Sequence, residues 1–369
     1  MKTSNGRKLS HAALSLTVLG ALLGAAPDSH ALGTQGACQD NHIPVALAPG
    51  LPADQEVFAR LCLPPGQTPA TVQLLIHGIT YSHLHWDFPD PTGHTQRYSY
   101  VSAALDAGFA TLAMDRIGSG KSSHPPGATV SIDSNAYVVH QVVQALRAGQ
   151  VAGPSGAVGF QKVVLVGHSY GSFTSWYEAS DYRDVDGVIL SGVSHTIQLT
   201  SPLRVLVPLY PAALDPAFFG QGYDLTYMTT QPGTRYGAFY APGQADPAVV
   251  ALDERTKGTV TDTEFSPFAV ILARPLDIRV PVLLVNGAED RIFCGPTLSG
   301  TVCSSAEALI AAEKPRLGAQ VPCVEAFVLP GAGHDLNTIL DAQQWFAVAQ
   351  SWMTRRIGAG ADQTPGCGP

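Results

Sequence analysis

The chain is poor in charge. Only 14% of its 369 residues are Asp, Glu, Lys or Arg, and no three basic residues are consecutive. With a formal net charge of −8, this argues against nucleic acid or an anionic membrane surface as a partner. It also lacks C-x-x-C, so its six cysteines have neither zinc-finger nor dithiol spacing. Beyond the first thirty residues no apolar run is long enough to span a bilayer. No segment repeats, which excludes a solenoid. A phosphate loop is absent too. Asp115-Arg-Ile-Gly-Ser-Gly-Lys-Ser122 has the G-K-S ending, but Asp115 stands where the motif needs glycine.

What is present begins with a leader. Lys2, Arg7 and Lys8 precede the uncharged apolar stretch 12–26, and Ser29-His30-Ala31 offers small residues for cleavage. Residues 1–31 therefore read as a signal peptide, and residues 32–369 as an exported domain, secreted or periplasmic. All six cysteines follow the leader, an even number that suggests three disulfides. Fifteen pairings exist. Cys294 with Cys303 would clip one loop, while Cys38 with Cys62 and Cys323 with Cys367 would tie down the ends.

Short apolar strands alternate with helical stretches along most of the domain. The segments 57–63, 71–76, 109–114, 163–166, 187–191, 281–285 and 324–329 read as strands. Helical spacing appears at 99–107, 135–147, 173–179, 304–312 and 340–355. This is the pattern of an α/β fold, a mostly parallel, doubly wound sheet covered on both faces. Regularity fails over 196–275, which is rich in proline and aromatic residues and reads as an inserted lid or cap.

Three reactive side chains each follow a strand, so a parallel sheet brings them to one edge. Ser169 lies in Gly167-His-Ser-Tyr-Gly171, a strand–turn–helix context that lifts a serine hydroxyl above the sheet. Asp290 follows the strand ending near 285, and His334 follows the last strand. The order nucleophile, acid, base suits a serine made reactive by His334, with Asp290 holding the imidazole. His77-Gly78 ends an early strand, so the backbone N–H groups of Ile79 and Tyr170 are candidates for an oxyanion hole.

These stretches together resemble the α/β-hydrolase-fold serine hydrolases, of esterase or lipase type, over about residues 56–355. His77-Gly78 resembles the family's oxyanion turn and Asp115–Ser122 its turn after the fourth strand. Gly167–Gly171 resembles the nucleophile elbow, Gly287–Asp290 the acid loop, and Gly331–His334 the histidine loop. The resemblance implies hydrolysis of a small carboxylic ester without a cofactor or metal. Family members with an aspartate nucleophile are disfavoured by Ser169.

Other readings stay open at this point. Glu289 competes with Asp290 as the acid. His83-Leu-His85-Trp-Asp87 has metal-like spacing. His168, His195, Phe218, Phe219, Tyr223 and Tyr227 are candidate pocket residues. Asp215, Asp224, Asp246, Asp253 and Glu254 could bind an amino terminus, as an exported aminopeptidase requires. A non-catalytic binding protein on the same fold is the remaining alternative. Neither substrate nor oligomeric state can be read from the residues.

Overall fold

A computed structural model describes residues 1–2, 36–94, 96–198, 201–206, 208–265, 268–298 and 300–367. By contacts the chain divides into Met1–Ala31 and Leu32–Pro369. The signal-peptide reading falls on the first unit, which lies outside the described residues except at its first two positions. No helix among the described residues is long and apolar enough to cross a membrane.

Eight strands, numbered here in chain order, form the central sheet: β1 Ala37–Val45, β2 Gln55–Leu63, β3 Thr71–Ile76, β4 Ala110–Met114, β5 Lys162–His168, β6 Gly187–Ser191, β7 Val282–Gly287 and β8 Val324–Leu329. Their spatial order is β1-β2-β4-β3-β5-β6-β7-β8. The pairs β1/β2 and β2/β4 are antiparallel, and the rest are parallel. Every residue of β3 to β7 is buried, because helices cover both faces. The alternation read from the sequence finds this fold. It misses β1, whose first four residues are exposed and which contains Pro44, tolerable only because β1 is an edge strand.

The helices are α1 Tyr100–Asp106, α2 Ile132–Arg147, α3 Tyr170–Asp181, α4 Ser201–Val205, α5 Arg235–Phe239, α6 Pro247–Arg255, α7 Asp262–Phe265, α8 Phe268–Ala273, α9 Ala306–Glu313 and α10 Ala342–Arg356. The β3-α1-β4 crossover runs towards the β1 edge and β4-α2-β5 runs back. Right-handed crossovers then place α1 and α2 on opposite faces. α10 packs with α1, where Tyr100 stacks on Trp345, and α3 packs with α2.

The segment between β6 and β7 is not irregular. It holds α4 to α8 and a small antiparallel sheet of Leu209–Pro211, Tyr227–Thr230 and Val260–Thr261. Its helices have four to nine residues, too short to show apolar periodicity in sequence.

Three disulfides are present: Cys38–Cys62 joins β1 to β2, Cys294–Cys303 closes a loop after β7, and Cys323–Cys367 holds the C-terminal segment beside β8.

Candidate active site

The turn from β5 into α3 is set by two glycines. A Cβ on Gly167 would lie 2.6 Å from the backbone of Gly171, and one on Gly171 would lie 2.0 Å from the carbonyl oxygen of Ile76. Only hydrogen fits at either place. Ser169, between them, has φ 54° and ψ −117°, a conformation costly for a residue with a Cβ. The turn is anchored by Ser169 N–H donating to Ser191 O at 2.8 Å and by Ser172 N–H donating to Ser169 O at 2.8 Å.

Three loops after β5, β7 and β8 then converge. Ser169 Oγ lies 2.9 Å from His334 Nε2, and His334 Nδ1 lies 2.9 Å from Asp290 Oδ2. The other Asp290 oxygen accepts from the N–H groups of Ile292 (2.7 Å) and Phe293 (3.2 Å), which fixes the carboxylate plane. An acceptor at Nδ1 makes that nitrogen the N–H donor, leaving Nε2 free to accept from the Ser169 hydroxyl. All three side chains are buried. Glu289 is exposed and makes none of these contacts.

The loop after β3 lies against the same serine. A Cβ on Gly78 would come 3.0 Å from Ser169 Cβ, so glycine allows the close approach. The His77 ring holds this loop. Arg116 N–H donates to His77 Nε2 at 3.0 Å, so Nδ1 carries the proton and donates to Gly78 O at 2.7 Å. Burial, with the Arg116 charge nearby, pushes the His77 imidazole down to about 3.

Ile79, Ser169, Tyr170 and His334 open onto a cavity walled mainly by apolar side chains. Phe173, Ile292 and Phe293 line it from the side of the central sheet. Val205, Leu206, Phe239, Phe265 and Phe268 line it from the inserted segment. Among the described residues lining this cavity there is no aspartate, glutamate, lysine or arginine.

A family description matching residues 73–349 is that of the alpha/beta hydrolases. The chain belongs to the alpha/beta hydrolase family. No curated protein matches it. Among solved structures, the hydrolase is similar to a thermophilic esterase from Thermogutta terrifontis (17% identity, TM-score 0.53, covering 86% of this chain and 98% of that one). It is similar to an alpha/beta hydrolase fold protein from Chitinophaga pinensis (13%, TM-score 0.54, 86% and 97%). It is also similar to the epoxide hydrolase VrEH1 from Vigna radiata (13%, TM-score 0.53, 86% and 98%). At these identities the likeness is one of fold.

Several residues singled out in the hydrolase sequence lie elsewhere. Phe218, Tyr223 and Tyr227 pack with Ala212 in a separate cluster, and Phe219 is exposed. Tyr227 O–H donates to Pro125 O at 2.6 Å, and Tyr223 Oη lies 2.8 Å from His124 Nε2, so both rings face the 118–127 loop rather than the cavity. His195 donates to Glu313 at 2.6 Å and stacks on Trp176 at 4.2 Å. His168 is fully buried behind His334, ring centroids 5.0 Å apart, with Nδ1 3.2 Å from Ser191 Oγ. None of these six lines the cavity. The histidines 83 and 85 diverge: His83 Nδ1 meets Asp115 at 2.9 Å, while His85 stacks on His168 at 4.6 Å. They share no ligand position.

The true lining was only partly legible. Phe239, Phe265 and Phe268 belong to the aromatic-rich segment, but nothing in its composition says which rings face the cavity. Phe173 and Phe293 carried a usable signal, lying four residues after Ser169 and three after Asp290, on the inner face of each turn.

Proposed function

We propose that this hydrolase cleaves hydrophobic carboxylic esters or lactones through an acyl-enzyme formed on Ser169. The observation that carries the reading is the hydrogen-bonded line Ser169–His334–Asp290, 2.9 Å at each step, opening on an uncharged, phenylalanine-lined cavity.

In the acylation step His334 Nε2 takes the hydroxyl proton as Ser169 Oγ bonds to the ester carbonyl carbon. The carbonyl oxygen gains the negative charge and is met by the N–H groups of Ile79 and Tyr170, each worth about 3–4 kcal/mol in such sites. Collapse breaks the bond to the alkoxide, which leaves with the proton from His334. Water then attacks the acyl-enzyme by the same route, releasing the acid and restoring Ser169. Asp290 stays ionised, orienting the ring and offsetting the imidazolium charge. No step calls for a metal or cofactor.

The inserted segment 196–275 acts in this reading as a cap that shapes the acyl side. Apolar walls favour an uncharged acyl chain, because an unpaired charge there would be costly. The peptidase reading loses its support. Asp253 is paired with Arg235, Asp215 and Glu254 with Lys257, and none of these acids, nor Asp224 or Asp246, is among the residues lining the cavity. Residues 1–31 serve as the export signal, in keeping with three disulfides.

A fluorophosphonate tests the nucleophile. It is expected to label the protein once and to leave folded Ser169→Ala unlabelled, and p-nitrophenyl esters are expected to be cleaved where aminoacyl anilides are not. Labelling that persists in the folded variant would falsify the assignment.

A further inference from the structure

Away from the cavity, α2, α3 and the turn after α3 bring together three donor side chains that hydrolysis does not use. His140 comes from α2, Glu178 from the last part of α3, and Asp184 from the turn. One potential ligand atom from each lies within 4.8 Å of the other two. His140 Nδ1 is 2.8 Å from Asp184 Oδ2. Glu178 is 0% exposed, and neither of its oxygens has a hydrogen-bond donor; Asp184 Oδ1 has none either. A buried carboxylate left without donors is costly, and here Glu178 also faces the Asp184 carboxylate beside one imidazole.

Arg147 lends positive charge nearby but no hydrogen bond to the unpartnered oxygens: it donates to the backbone oxygen of Asp184 (2.6 Å) and to Asp186 Oδ2 (2.8 Å). No ion pair among the described residues includes Glu178. The same Arg147 bonds fix the turn, and Gln144 Nε2 donates to Asp184 Oδ2 at 2.5 Å. The His140 ring is held flat on Tyr182, centroids 4.1 Å apart at 14°. Donors held in place by a second layer of contacts are the usual setting of metal ligands. The side chains of His140 and Asp184 are 24% and 17% exposed, which leaves a path and room for water on the outer side.

We propose that His140, Glu178 and Asp184 bind one divalent transition-metal cation, zinc being the ion this donor set fits best, and that the ion ties α3 to α2. An imidazole with two carboxylates suits zinc, whereas calcium and magnesium favour oxygen alone. Zinc bonds of about 2.0–2.2 Å place neighbouring ligands about 3.3 Å apart, so small side-chain rotations close the site and water completes it. The competing state is a proton shared between Glu178 and Asp184, in which zinc finds no place.

The test uses the full exported chain, stripped with EDTA, equilibrated with zinc chloride, desalted and assayed for metal. Wild type is expected to retain about one zinc more per chain than Glu178→Gln or His140→Asn. With free zinc about 100-fold above its Kd, the wild-type Tm is expected to rise by about 4 °C or more, with little change in either variant. Glu178→Gln keeps the buried shape, and His140→Asn lies at a partly exposed position, so a folding failure in one leaves the other to decide. Equal zinc retention and equal Tm shifts in all three proteins would overturn the proposal. An equal rise with calcium would overturn the assignment to a transition metal.

Discussion

The sheet edge and the inserted segment meet at one cavity but are built differently. At the sheet edge, Ser169, Asp290 and His334 are placed by backbone: strand ends, tight turns, and glycines where a Cβ would strike main chain. In the insertion, position is set by buried ionic side chains. Arg235, 0% exposed, makes two 2.8 Å bonds to Asp253, donates to Thr80 O at 3.1 Å and Thr80 Oγ1 at 3.0 Å, and lies 4.4 Å over the Tyr81 ring. Arg116 pairs with Glu264 in the same way. Backbone placement depends on a few local residues. Ionic placement depends on partners far apart in sequence, and losing one partner leaves the other charged and buried.

The largest effect should come from the sheet edge. Asp290→Asn keeps the shape but lets the amide donate, which favours the wrong His334 tautomer. In triad enzymes the exchange costs about 10⁴-fold in kcat, or about 5.5 kcal/mol of barrier. Stability should change far less than that. A variant retaining a tenth of wild-type kcat would remove Asp290 from the mechanism and reopen Glu289.

The insertion should show the opposite profile, a large loss of stability. Arg235→Met strands Asp253 and is expected to cost about 3–5 kcal/mol in denaturant unfolding. Arg235→Met/Asp253→Leu should recover part of this, since neither charge is then left alone. Because Arg235 also holds Thr80, whose φ is +53°, kcat should fall in the single variant through the neighbouring Ile79 N–H. A single variant as stable as wild type would mean that the insertion is held by packing alone.

This difference in construction also decides what could be read from the sequence. Five interior strands were legible because helices on both faces demand unbroken apolar runs such as Val163–Val166 and Val282–Val285. The placement of Ser169, Asp290 and His334 followed, since each comes just after a strand. β1 was not legible, being half exposed and carrying Pro44. The cavity rings were not legible either. Phe218 and Phe268 sit in similar company, but one packs under Tyr223 and the other lines the cavity. That choice is made by pairs such as Arg235–Asp253 and Arg116–Glu264, which leave no periodic trace.

The loop closed by Cys294–Cys303 joins the two regions and offers a smaller perturbation. Gly295 N–H donates to Thr196 O and Gln198 N–H donates to Ile292 O, each at 2.9 Å, so this loop grips the start of the insertion beside Asp290. Cys294→Ser/Cys303→Ser should cost about 2.7 kcal/mol in the loop-entropy description. If the loop also steadies Asp290, turnover per folded molecule should fall at temperatures well below the Tm. Unchanged turnover would limit the bond to stability.

The smallest effect concerns acid, and it falls on the sheet-edge side. His77, His85 and His168 are fully buried around the Ser169 turn, and desolvation lowers all three below the usual imidazole range, His77 to about 3. In the unfolded chain each would take up a proton near pH 6.5. As pH falls below that value the unfolded state therefore binds more protons than the folded one, and stability drops. It is fully present above pH 6.5 and is lost progressively towards the folded-state values, at about 1.4 kcal/mol per pH unit for each histidine. His85 can be removed most cleanly, since neither ring nitrogen has a protein partner. His85→Leu should leave stability at pH 8 within about 1.5 kcal/mol, as expected for replacing an unpaired buried polar group by an apolar one. Between pH 6 and 5 it should reduce the slope of unfolding free energy by about one proton. Urea midpoints collected across pH 4.5–8 measure this directly. The insertion gives the contrast: in Arg235→Met the buried Asp253 carboxyl, already raised by desolvation, loses the charge that held it down, so its contribution to stability should fall as pH rises, opposite in sign to that of the histidines. If His85→Leu shifts the curve while leaving its slope intact, acid sensitivity does not arise from the buried histidines of the sheet edge.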